Sequence, residues 1–68
     1  MLKVGIKGKV LSGRYMGWHI MIERDADAYY LFLAENENPK AGFDEWFRTY
    51  EELDMRLRDV DIEWVEGH

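Results

Sequence analysis

Few side chains in this sequence could do covalent chemistry, and their spacing does not gather them. The 68 residues include no cysteine and two histidines, and His68, at the end of the chain, is given no role. His19 is left as the one candidate base, with Ser12 as the accompanying hydroxyl in the adjacent turn. A nucleophilic triad also needs a group that orients the base, and nothing in the spacing supplies it. A lone histidine on the outer side of a strand reads as a cross-strand packing residue. Carboxylates are plentiful, at fourteen. A general acid, however, needs a pKa raised by burial, and so short a chain has no room for a deep cleft. Asp25-Ala26-Asp27 lacks the later ligands, central glycine and terminal glutamate of a calcium loop, and His19 has no second histidine or cysteine nearby. Gly5, Gly8, Gly13 and Gly17 are spaced through a hairpin instead of forming a run before a helix, which disfavours a phosphate cradle and points to close strand packing or a bulge. The sequence predicts no catalytic residue, no metal ligand and no cofactor.

What the sequence does hold is a core. Three tryptophans, four tyrosines and three phenylalanines stand among 47% hydrophobic and 34% charged residues, the composition of a folded globular chain. A domain of this size buries only about 60% of its unfolded surface. Most of Trp18, Trp46, Trp64, Phe32, Phe43 and Phe47 are therefore needed simply to fold, in one domain spanning residues 1–68. Lack of cysteine fits a reducing compartment. The N-terminal residues alternate apolar with polar, unlike a signal peptide, and the densest apolar stretch, 28–34, is far short of the ~18 residues of a membrane span. A cytoplasmic protein without membrane contact is expected.

The periodicity predicts an α+β fold: a small antiparallel sheet, built from a three-strand N-terminal meander and a C-terminal strand, packed against one helix ending near residue 58. From Leu2 to Val10 the even positions Leu2, Val4, Ile6 and Val10 are apolar, a period of two. Ser12-Gly13-Arg14 turns the chain, and Met16, Trp18, Ile20 and Ile22 alternate along a second strand. After Asp25-Ala26-Asp27, Tyr29–Leu33 is apolar on both sides, as a central strand would be. Residues 35–42 read as a surface loop. Residues 43–58 are ambiguous. Phe43, Trp46, Phe47, Tyr50, Leu53 and Leu57 share one helical stripe, yet the aromatics are poor helix formers and Thr49-Tyr50-Glu51-Glu52 is a capping box. The balance falls on a short strand over 43–48 followed by a helix over 50–58 that buries Tyr50, Leu53 and Leu57. Val60, Ile62 and Trp64 then alternate with Asp61 and Glu63 in a last strand. Pairing it with the first strand sets those acids beside Lys7 and Lys9.

The net charge of −5 is unevenly spread. Lys3, Lys7, Lys9, Arg14 and Arg24 face a single carboxylate, Glu23, in the first 24 residues, while the later chain carries every other acid. Glu35, Glu37, Asp44, Glu45, Glu51 and Glu52 crowd the long loop and the start of the helix. A field of that sign speeds association with a basic partner, and Tyr29, Phe43 and Trp46 are the aromatics placed to act as hot spots beside it. The expected function is thus a non-catalytic, acidic protein-binding module acting on a protein with a basic surface, with monomer and homodimer both open. The alternative is nucleic-acid binding by the basic, aromatic N-terminal hairpin; the overall acidity argues against it. In size, acidity and lack of catalytic groups the chain is similar to bacterial immunity proteins, antitoxins and phage counter-defence proteins. That likeness implies inhibition of a basic partner and assigns no residue a role.

Overall fold

In the computed structural model, which describes residues 2–65, five strands and one helix follow one another in the expected order. They are β1 (Lys7–Val10), β2 (His19–Asp25), β3 (Ala28–Ala34), β4 (Phe43–Phe47), α1 (Tyr50–Leu57) and β5 (Ile62–Trp64), with a single 3-10 turn at Pro39–Ala41. His68 lies outside the described residues. The sheet is antiparallel throughout, in the order β4-β3-β2-β1-β5, so the architecture is α+β as the periodicity requires.

Alternation along each strand divides the sheet into a helix side and a helix-free side. Val10, Ile20, Ile22, Leu31 and Leu33 point to the helix side and, with Leu53 and Leu57 of α1, make the buried core. Trp18, Val60, Ile62 and Trp64 pack on its margin, half-buried. Gly8 faces the same side, where a Cβ would lie 2.9 Å from both Ile62 Cγ2 and Trp64 Cε3. Glycine is thus what lets the indole of Trp64 lie down on β1, the close packing that the hairpin glycines suggested.

The ends of the strands differ from the periodic pattern, each for a local reason. The first strand starts at Lys7, because Val4 and Gly5 form a turn whose Gly5 N–H still donates to Ile22 O at 2.7 Å. The second starts at His19, because residues 14–17 are a turn closed by Met16 N–H to Gly13 O (3.2 Å) and Gly17 N–H to Val10 O (2.8 Å). Met16 therefore lies on the surface instead of in a strand. The last strand shortens to Ile62–Trp64; Asp61 is held instead by its N–H donating to Ser12 Oγ at 3.0 Å. Its pairing with β1 is as expected, with Lys9 opposite Glu63.

Residues 43–47 form a strand and the capping box starts α1. Thr49 Oγ1 accepts from Glu52 N–H at 3.1 Å, and Glu52 Oε1 accepts in return from Arg48 N–H at 3.1 Å. Loop 35–42 is more structured than its composition suggests. Asn36 and Asn38 side chains accept from the backbone N–H groups of Asn38 and Lys40, and the segment folds across the helix-free side so that Pro39 is buried. The β2–β3 turn carries one strained residue, Ala26 at φ 55. Alanine in the left-handed region is disfavoured where glycine is not. Ala26→Gly is expected to stabilise the fold by about 0.5 kcal/mol, seen as a rise in the urea midpoint; a fall would show that Ala26 packs usefully.

A candidate protein-interaction edge

The two outer strands of the sheet are unequal. β5 is a three-residue strand beside β1, whereas β4 is longer and pairs on one side only, with β3 in the register Leu33–Phe43 to Tyr29–Phe47. Its other side presents backbone N–H and C=O groups with no strand alongside, a ready template for another chain. Trp46 stands on this strand, pointing to the helix-free side at 53% exposure. Opposite it on β3 is Tyr30, which stacks on Phe32 at 6.0 Å, and Phe32 is opposite Met21 of β2. An apolar band thus runs from the middle of the helix-free side out to the β4 edge. Lys40, carried in by the 3-10 turn, sits 5.4 Å from the Phe32 ring centre and pairs with Glu23 at 2.5 Å, closing the inner end of the band.

The six acids named from sequence do not form one surface. Glu35 and Glu37 are exposed in the loop, and Asp44 is exposed on the helix-free side next to Trp46. Glu45 points the opposite way and makes a two-pronged pair with Arg56 of α1, its Oε1 and Oε2 each 3.1 Å from a guanidinium nitrogen. Glu51 is exposed in the first helical turn, whereas Glu52 is committed to the capping box. Glu45 and Glu52 are therefore structural, and substituting them would disturb α1. Asp44 and Glu51 remain as free carboxylates flanking the edge.

The aromatic candidates separate as well. Tyr29 packs on the helix side, 5.9 Å from the Tyr50 ring. Phe43 also faces the helix side, in a cluster with Tyr15 and Trp18 at 5.8 and 5.9 Å. Only Trp46 stands out toward solvent on the open side. Nothing in the sequence distinguished it from Phe43, because the two differ by strand parity and the strand itself was in doubt.

Neither of the other sequence candidates is assembled. His19 lies on the helix-free side between Lys9 and Ala34, while Ser12 is tied to Asp61. Among the described residues no three His, Asp or Glu side chains gather as a metal site, and no helix is long and apolar enough to cross a membrane. The basic hairpin is divided too: Lys7 and Lys9 are on the helix-free side, but Tyr15 and Trp18 pack against the core on the other. No protein-family model, curated protein or solved structure matches this chain.

Proposed function

We propose that the protein is a non-catalytic binding module that takes an extended, basic segment of a partner protein along β4. The observation that carries this reading is the unpaired edge of β4 with Trp46 exposed beside it. Strand addition supplies main-chain hydrogen bonds, and side chains at alternate positions supply selectivity. Trp46 offers the large amphipathic surface typical of a hot spot, and Asp44 and Glu51 set the sign of the partner. Asp44 also opposes self-association, because an antiparallel β4–β4 pair centred on it would place carboxylate against carboxylate. A basic strand meets no such repulsion. An inhibitor of a nuclease or another nucleic-acid-binding protein would work in this way, covering a basic segment that otherwise meets phosphate. The divided hairpin offers single-stranded nucleic acid no comparable aromatic and basic platform.

The test is a titration, followed by amide NMR shifts, with a short peptide alternating lysine and valine. Saturable shifts centred on 43–47, weakening steeply with salt, are expected. Trp46→Ala should reduce affinity roughly tenfold or more, and Asp44→Lys with Glu51→Lys should slow association most at low salt. The reading fails if Trp46→Ala binds as well as the unchanged protein, or if oligothymidylate binds tightly while shifting Lys7, Lys9 and His19.

A further inference from the structure

On the helix side, away from β4's open edge, lies a cavity of about 300 Å³ between the β1–β2 loop and the C-terminal end of α1. Four segments build it. Val10, Ile20 and Leu33 come from the sheet, Leu57 from α1 and Val60 from the link to β5, and all five are apolar. Ser12, Arg14, Tyr15 and Arg56 form the rim. The Ser12–Asp61 hydrogen bond ties the loop to the α1–β5 link, so the rim is held on both sides.

The charge of this rim runs against that of the whole protein. In a chain with fourteen carboxylates and nine lysines and arginines, the cavity lining has two arginines and no carboxylate. Arg56 gives its Nε and one terminal nitrogen to Glu45, which fixes the guanidinium plane and leaves other N–H groups of the fork unused. Arg14 lies 5.7 Å from the Tyr15 ring centre and has no hydrogen bond or carboxylate partner among the described residues. Ser12 Oγ accepts from Asp61 N–H, and its own O–H remains a donor. The rim therefore offers donors and positive charge above an apolar floor.

We infer that this cavity is a binding site for a small amphiphilic carboxylate, with the tail on Val10, Leu33, Leu57 and Val60 and the carboxylate at Arg14 and Ser12. Size fits that class. The volume is at the lower end of ligand pockets and, at about 30 Å³ per water-sized group, holds on the order of ten non-hydrogen atoms. A second hollow, at the other side of the α1–β5 link, is lined by Asp54 and Asp61 as well as Arg58, so its rim selects neither sign. The carboxylate site stands on residues separate from Trp46 and Asp44, and either proposal can fail without the other.

The experiment compares octanoate, octan-1-ol and octylammonium, which share a tail and differ in charge, by methyl NMR shifts at Val10, Leu33, Leu57 and Val60. Octanoate should shift these methyls saturably and bind about tenfold more tightly than octanol, with octylammonium weaker again. Arg14→Ala should remove that preference while leaving octanol unchanged, and Arg14→Lys should restore part of it, since the charge returns without the fork. Arg14 is exposed, so both variants keep the fold. The inference is overturned if octanoate leaves those methyls unshifted, if the three compounds bind alike, or if Arg14→Ala retains the preference for octanoate.

Discussion

Gly42→Ala is expected to destabilise the protein by more than about 3 kcal/mol, a large share of the roughly 3–10 kcal/mol a domain of this length commands. A Cβ on Gly42 would lie 1.9 Å from Leu33 O and 2.7 Å from Ala34 Cα. Both are backbone atoms of β3, the strand paired on both sides, so the only relief is for the turn at 39–41 and the start of β4 to lift away. Lifting them would expose Pro39 and Ala34 and weaken the Phe43–Leu33 pairing. Gly8 provides the contrast. A Cβ there meets side-chain atoms at 2.9 Å, which yield by rotation, and overpacking of that kind costs about 1–3 kcal/mol. Urea denaturation of the two variants separates the cases. Equal midpoints for Gly42→Ala and the unchanged protein would show that the turn does not rest on β3 as described.

Leu53→Ala is expected to cost about 3–4 kcal/mol and to take the helix with it. Only Leu53 and Leu57 of α1 are buried, and Leu53 is completely so. A helix of eight residues has little stability of its own, so its existence depends on those two anchors, the Thr49 cap and the Glu45–Arg56 pair. The pair is about one-third exposed at both partners and contributes on the order of 1 kcal/mol or less. The cap adds about 1 kcal/mol. Leucine burial therefore dominates. Met55→Ala, two residues from Leu53 on the opposite side of the helix and 66% exposed, should change stability by no more than about 0.5 kcal/mol. Equal denaturant midpoints for Leu53→Ala and Met55→Ala would contradict the packing of α1.

Local features of this fold could be read from sequence, and remote contacts could not. The Thr49–Glu52 box and the alternation of Ile20, Ile22, Leu31 and Leu33 depend on neighbours one turn or two residues away. Period two also led the first and second strands too far, into residues 2–6 and 16–18. There glycine turns interrupt the ladder without breaking the apolar rhythm. The pair Glu45–Arg56 joins residues eleven apart on different elements, so no spacing rule marks Glu45 as occupied. The same holds for Lys40, whose place over Phe32 follows from how loop 35–42 folds back. The open β4 edge became visible only with the strand order, because an edge is defined by what is not beside it. The cavity likewise depends on Ser12, Leu33, Arg56 and Val60, which converge only in the folded chain.

The strand order also sets an expected sequence in which the pairings form as the chain folds. β2 and β3 meet across Ala26 and Asp27 alone, while β1 and β5 join Gly8 to Trp64. Entropy of loop closure favours the first and delays the last. Until β5 arrives, β1 is an outer strand with bare backbone groups, a transient state open to pairing with a neighbouring nascent copy. Lys7 and Lys9 guard that state. A lysine on an edge strand is a standard deterrent to such pairing, and two copies meeting there would set ammonium against ammonium. When β5 docks, Glu63 comes to lie opposite Lys9, and the guard of the unfinished sheet becomes part of the finished one.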